Sequence, residues 1–563
     1  MTIFQSSQPP IKVPNNAPVW TWLFEGEESP LRRSPPEAVN GFSDAATGEH
    51  ISFKDLKELS TYVSTALVQK YGLRQGECVC LFSPNTIWYP CALFSVLRSG
   101  GIVAGASPAY NVEEMAYALR LSKAKLIFTV PGSLNVAAAA AKAVGITPDR
   151  ILMLHGEVDG HVSLSQLIDI GRSQGPQRQK VPFTIPRGRQ NKDVCAFLSF
   201  SSGTTGLPKA VAISHSNIIA QCLQMRQAGA KIDRMIAVLP LFHITGLVHQ
   251  MHLPIVLNAN VHMLPSFSME LMLKVVQEYR LQELMLVPPI LVRLVHDKSI
   301  ENYDLSSIRY FTSGAAPLSA EIIARLQKLF PNAGLKHGYG MTESGGCITV
   351  TTPDKYDFKN ATKAGTLLAS TEIKVVDPES GAELGPNTPG EIWARGPQIT
   401  MGYLDNQKAT DETFDKDGFL HSGDIGYIDD EGFLTITDRL KELIKVNGIS
   451  VAPAELEDLL LGHADVVDAA VIGILDATSG EKPKAYVVMR SGLTGSPESV
   501  AKDLIKLAQE RKVRHKWISE VEVIEAIPKA PSGKILRRVL RDQHKAGKRG
   551  LVVLREAGPR AKI

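Results

Sequence analysis

From about residue 50 to 440, apolar strand-like runs alternate with helical patterns, and this alternation restricts the fold more than any other feature. The strand-like Glu77–Asn85 leads into the helix-like Ile87–Gly100, and the strand-like Gly101–Ser107 follows. Strands that are apolar on both faces and separated by helices belong to buried, largely parallel sheets. Gly100-Gly101 stands where a helix C-terminal glycine belongs. Between residues 370 and 440 the texture changes to short strands broken by turns at Pro378–Gly381, Lys416–Gly418 and Asp429–Gly432. That pattern predicts a small antiparallel barrel or sheet. After Asp438-Arg439-Leu440-Lys441 a mixed unit begins, with helix Pro453–Leu461, strands Val466–Ile474 and Lys484–Met489, and helix Ser499–Arg511. A chain of 563 residues exceeds one ordinary core. The expected division is 1–440 for a large α/β domain and 441–563 for a small α+β domain.

Hydrophobic residues make up 44% and charged residues 21%, the composition of a globular protein. A net charge of +3 argues against a nucleic-acid partner. Basic residues do gather near the end, at Lys529, Lys534, Arg537, Arg538, Arg541, Lys545, Lys548 and Arg549. They read either as a solvated helix face or as a site for phosphate-bearing ligands. The six cysteines show no paired zinc spacing and no disulfide framework, which implies a reducing compartment. Cys78 and Cys80 fall in a run that reads as a buried strand. The polar, Pro-rich start is unlike a secretory signal, and no apolar stretch is long enough to span a bilayer. Ala561-Lys562-Ile563 follows the small-basic-aliphatic pattern of a peroxisomal address, so an import receptor is an expected partner and the cytoplasm the alternative location.

The sharpest local feature runs from Ser199 to Lys209 and includes Ser201, Ser202, Gly203, Thr204, Thr205 and Gly206. Small hydroxyl residues and glycines let backbone N–H groups and hydroxyls surround phosphate oxygens, and Lys209 adds positive charge. Pro208 before the lysine and Ala210 after it exclude a Walker A loop. Further on, Gly338-Tyr339-Gly340-Met341-Thr342-Glu343 combines a ring that can lie against a purine with a carboxylate that can hold Mg²⁺. Asp424 suits the hydroxyls of a ribose, and Arg439 belongs to the same candidate nucleotide site. The Pro/Gly-rich loop Pro528–Lys534 carries Lys534, a mobile point charge useful between a carboxylate and a phosphate. Each segment alone could be a turn or a solvated side chain; their joint order is informative.

Taken together, these segments and the stretches Gly390–Gly396, Gly402-Tyr403-Leu404 and Asp438–Lys445 resemble the adenylate-forming superfamily from about residue 50 to 540. That superfamily holds acyl-CoA synthetases, luciferases and peptide-synthetase adenylation domains. Leu239–His243 and Val451–Glu457 are similar to the 4-coumarate:CoA ligase-like branch. The resemblance implies an α/β domain of two sheet-helix subdomains plus a small β-barrel, followed by a mobile α+β lid. It implies a ligase that couples ATP and a carboxylic acid to an acyl-adenylate, releases pyrophosphate and passes the acyl group to coenzyme A. Ser201–Lys209 would hold the outgoing phosphates, Thr342 and Glu343 phosphate and Mg²⁺, and Lys534 the carboxylate and α-phosphate. Ala315, Ala316, His337, Gly338, Tyr339, Gly340 and Met341 would flank the adenine end, with Asp424 and Arg439 on the ribose.

For the thioester step the family rotates its small domain about a hinge, here Lys441, which brings Lys445, Asn447 and Gly448 toward coenzyme A. The acyl pocket would be lined by His243, Thr245, Thr312, Gly314, Gly346 and Cys347. Thr312, Thr245 and Gly346-Cys347 depart from the hydroxycinnamate pattern toward smaller side chains, which implies a roomier pocket with less hydrogen bonding to a phenol. Medium or long aliphatic acids, or bulky secondary-metabolite acids, are then expected ahead of coumarate. Loading of a carrier protein's pantetheine is one alternative function, and a catalytically silent nucleotide- or acyl-CoA-binding protein is the other.

Overall fold

The computed structural model describes residues 2–27, 29–201, 208–314, 318, 320–447, 449–476, 479–490, 496–529 and 533–555. The expected alternation builds a six-stranded sheet in the order Ile151–Met153, Ala124–Thr129, Cys78–Phe82, Ile102–Ala106, Cys195–Ser201, Lys209–Ser214. Its first five strands run parallel, and Lys209–Ser214 returns antiparallel. Every residue of Cys78–Phe82 is buried, because helices cover the strand on both faces. The partner helix Trp88–Ser99 ends on Gly100, whose φ of 83° is the left-handed conformation that a side chain resists. Helix Phe53–Tyr71 is fixed at its start by a capping box between Ser52 and Asp55 and at its end by Gly72.

A second parallel group places Glu283–Leu286, Tyr310–Ser313 and Gly334–Met341 side by side. Two antiparallel strands, Gly346–Val350 and Thr366–Leu367, extend it. A four-stranded sheet joins Arg234–Ala237, Asn260–Met263, Gly41–Asp44 and His50–Ser52. The segment that reads as a barrel or sheet is an antiparallel sheet of Glu372–Val376, Gly390–Arg395, Leu420–Ile428 and Leu434–Arg439. Its outer edge is closed by Phe4–Gln5, a strand that the polar start of the chain does not signal.

Beyond Leu440 the chain forms another sheet, built on the hairpin Val466–Asp476 and Gly480–Met489. Glu520–Val523 lies parallel to the second of these strands, and helices Pro453–Leu461 and Pro497–Arg511 flank the sheet. Leu456, Leu460, Val471, Val487, Val500, Leu504 and Val521 make a core of their own. At the base of this unit Arg537 is gripped by Glu442 at 2.5 Å and by Glu457 at 2.7 Å. Lys529 pairs with Asp468, and Arg549 lies within reach of Glu520 and Glu522. Lys529, Arg537 and Arg549 of the basic cluster thus serve ion pairs within the unit. No helix among the described residues is long and apolar enough to cross a membrane.

Candidate active site

The candidate residues gather at the C-terminal ends of the parallel strands, where open α/β sheets leave a crevice for ligands. Strand Cys195–Ser201 delivers Ser201, which lies opposite Lys209 in the return strand. Ser202, Gly203, Thr204, Thr205 and Gly206 lie outside the described residues, as do Ala315, Ala316, Gly448 and Ala561–Ile563. The Lys209 ammonium stands 4.5 Å from the centre of the Tyr403 ring, a cation–π contact. Tyr403 in turn donates its hydroxyl to Glu343 at 2.9 Å. One relay thus connects Lys209 to the buried carboxylate of Glu343.

Strand Gly334–Met341 carries His337, Gly338, Tyr339, Gly340 and Met341 into the crevice. It turns at once into the single turn Thr342–Ser344, tied by a bond from the Met341 amide to the Ser344 hydroxyl. Gly340 packs so closely on the next strand that an added Cβ would overlap the Gly346 carbonyl. His337 is buried and neutral, its pKa pushed down to about 4 by loss of hydration.

Across the crevice, Asp424 and Arg439 face each other on neighbouring strands. Their side chains meet at 3.2 Å, and the Asp424 side chain is only 5% exposed. Tyr339 donates its hydroxyl to Asp424 at 2.8 Å. Burial pushes the Asp424 carboxyl above its ordinary range, and Arg439, Tyr339 and Lys534 pull it back. Lys534 completes the group. Burial and the neighbouring Arg439 guanidinium push its pKa down to about 8, against Glu442, Asp424 and Glu343. Gly533, just before it, packs on helix Pro288–His296, where an added Cβ would meet Pro289. Tyr339, Glu343, Asp424, Arg439 and Lys534 therefore form one cluster assembled from both parts of the chain.

Lys445 and Asn447 do not join it. Lys445 is 52% exposed and reaches Glu379 at 3.7 Å, in the Pro378–Gly381 turn. Asn447 sits in the left-handed region with φ 51°, its amide bonded to the Ser479 carbonyl. Lys441 is exposed within the short turn Leu440–Glu442.

At the acyl end, His243 is half-buried beside Phe242, and burial pushes its imidazole pKa down. Thr245 precedes a π-helical segment, Gly246–His252, an irregularity common at functional sites. Gly314 ends strand Tyr310–Ser313, and a Cβ on Gly346 would strike Gln221. Cys347 meets His249 at 3.7 Å. Thr312 donates its hydroxyl to Glu283 at 2.6 Å, a bond within the protein. Sequence reasoning also missed Tyr403 as the link to Glu343. The Gly402-Tyr403-Leu404 match marked the segment without giving the ring a partner, because its partners lie 60 and more residues away.

The architecture is that of a two-part α/β nucleotide-site enzyme. ATP-bound MatB from Rhodopseudomonas palustris shares it with a TM-score of 0.82 and 27% identity, over 95% of this chain and 100% of that one. The anthranilate CoA ligase AuaEII with anthranoyl-AMP shares the fold at TM-score 0.81 and 23% identity, over 95% and 98% of the two chains. The chain belongs to the AMP-binding enzyme family: residues 31–404 match its AMP-binding enzyme model, and residues 455–534 match the AMP-binding enzyme C-terminal domain. A probable CoA ligase of Humulus lupulus is 37% identical over 96% of this chain and 95% of its own. The peroxisomal OPC-8:0-CoA ligase 1 of Arabidopsis thaliana is 36% identical over 95% of each chain. The 4-coumarate-CoA ligase 1 of Narcissus pseudonarcissus is 35% identical over 96% of each.

Proposed function

We propose that this protein is an ATP-dependent acid–thiol ligase that forms an acyl-adenylate and transfers the acyl group to coenzyme A. The observation that carries the reading is the convergence of Lys534 on Asp424, Arg439 and Glu343 across the crevice. In the first step a carboxylate oxygen attacks the α-phosphorus of ATP, a P–O bond forms, and the bond to pyrophosphate breaks. Two anions must meet, so the site's task is positioning and charge compensation. Lys534 offers a cation between them, while Ser201, Lys209 and the loop between them receive the departing phosphates. Asp424 and Arg439 take the ribose, and the Tyr339 ring takes the adenine face. Thr342 and Glu343 suit phosphate and Mg²⁺: Glu343 keeps a second carboxylate oxygen beyond its bond to Tyr403, and Mg²⁺ favours one or two carboxylates plus phosphate oxygens. The ion, when bound, neutralises charge on the outgoing phosphates.

In the second step the coenzyme A sulfur attacks the acyl carbon, the C–O bond to AMP breaks, and the thiol proton leaves. This step needs Lys534 withdrawn. We infer a division near residue 440, with Lys441 as the pivot on which the small unit turns. Lys445, Asn447 and Gly448 then approach the thiol path, and His243 stands at its junction with the acyl pocket. A peroxisomal address is supported by Ala561-Lys562-Ile563 and by the peroxisomal name of the Arabidopsis relative. Peroxisomal targeting of a fluorescent fusion, lost when Ile563 is deleted, tests it.

The ligase reading is tested by pyrophosphate release with ATP, Mg²⁺ and a panel of carboxylic acids, with and without coenzyme A. Release that depends on the acid and accelerates with coenzyme A is expected. Acceleration by a carrier protein's pantetheine alone would replace the acceptor, and no release with any acid would overturn the reading.

A further inference from the structure

The strand that delivers Asp424 is irregular where it does so. Glu391 is in register with Ile425 and Trp393 with His421, so the single residue Ile392 opposes three, Ser422, Gly423 and Asp424. A bulge of this kind disrupts the ladder, leaves amides without strand partners and re-aims the side chains it carries. Its middle residue, Gly423, takes a left-handed φ of 69°. The Gly423 amide donates to Glu391 Oε1 at 3.0 Å, and the Asp424 amide donates to the Ser422 hydroxyl at 3.1 Å. Glu391 and Trp393 stand two residues apart on one strand and so share a face. The second carboxylate oxygen, Glu391 Oε2, accepts the Trp393 indole N–H at 2.8 Å. The Trp393 ring in turn stacks on His421 at 3.7 Å, with the planes 11° apart. One glutamate thus fastens the bulge at its middle and fixes the ring that covers the residue before it.

We propose that Glu391 is a positioning residue: it holds the bulge in the shape that turns the Asp424 carboxylate toward the ribose of ATP. This role rests on the reading of Asp424 as a ribose ligand and adds a residue that acts through it. Tyr339 and Arg439 hold the carboxylate end of Asp424, at 2.8 and 3.2 Å. Glu391 and Ser422 hold the backbone from which that side chain leaves.

The two donors decide which substitution is informative. Glu391 faces the N–H groups of Gly423 and Trp393, and a carboxylate offers an acceptor oxygen to each. A glutamine of the same size has one acceptor oxygen and one NH2 group, so one of the two donors then meets another donor. Removing the indole N–H as well lets the amide present its oxygen to Gly423 unopposed.

The experiment measures acid-dependent pyrophosphate release with ATP and with 2′,3′-dideoxy-ATP and compares their kcat/KM. The unaltered protein is expected to favour ATP by about tenfold or more, because the analogue leaves the Asp424 carboxylate without its hydroxyl partners. In Glu391→Gln the ratio is expected to drop by about threefold or more, mainly through a higher KM for ATP. In Glu391→Gln/Trp393→Phe it is expected to return to within about twofold of the ratio for Trp393→Phe alone. Thermal denaturation checks the folding of each variant. An unchanged ratio in Glu391→Gln, or no recovery in the double variant, overturns the positioning role and leaves the ligase reading intact. A glutamate that only stabilised the sheet would lower the melting temperature and leave the ratio alone. No preference for ATP in the unaltered protein overturns the ribose reading of Asp424 and this role with it. No release with any acid overturns the ligase reading as well.

Discussion

Two lysines on the small unit occupy opposite environments. Lys534 is enclosed by Asp424, Glu343, Glu442 and Arg439, with a pKa of about 8. Lys445 is half exposed and, among the described residues, reaches Glu379, itself 85% exposed. An ammonium that has given up hydration holds the charge a reacting centre uses, whereas a solvated one is largely screened. The contrast teaches that one arrangement of the small unit serves one lysine at a time. It matches the adenylation arrangement of the proposed mechanism, in which Lys445 would act only after the proposed turn of the unit.

The comparison breaks most sharply at Lys534. Lys534→Ala is expected to slow adenylation about 10²–10³-fold, read as pyrophosphate release, while a supplied acyl-adenylate still reacts with coenzyme A. Lys445→Ala is expected to do the reverse, slowing thioester formation from acyl-adenylate by about tenfold or more and sparing adenylation. Equal loss of both half-reactions in both variants would refute the division of labour. The pH profile sharpens the contrast. Because the Lys534 pKa is lowered to about 8 and its charged form is the useful one, adenylation kcat/KM should fall as pH rises through about 8. In Lys534→Ala that limb should vanish.

A smaller effect is expected from Tyr403→Phe, which removes one hydrogen bond from Glu343 and should cost about threefold to tenfold in adenylation. The smallest belongs to Glu379→Ala. An exposed pair contributes little, so both half-reactions should change less than about threefold.

The hydrophobic alternation from Glu77 to Ser107 located two strands and a helix, although the first strand ends at Phe82, short of the expected Asn85; full burial leaves such strands little freedom of composition. Helix Pro453–Leu461 and the hairpin after it were equally legible. Phe4–Gln5 was not, since a two-residue edge strand takes its order from its neighbour's backbone and not from its own side chains. At the site, Tyr339, Glu343, Asp424 and Arg439 were readable because their chemistry sits in short motifs. Glu283 and Lys336 lie 53 residues apart, and only strand register unites them. The bond from the Thr312 hydroxyl to Glu283 was not legible either, because the two residues meet only across neighbouring strands.

The grip of Glu442 and Glu457 on Arg537 has a mechanical meaning. Arg439 is fastened to Asp424 on one side, and Glu442 is fastened to Arg537 on the other. Only Leu440 and Lys441 separate the two fastenings. Under the proposed pivot at Lys441, a joint this short would favour swivelling over sliding. On that proposal each swing would return Lys534 to the same spot, as a key on a fixed pin returns to its lock.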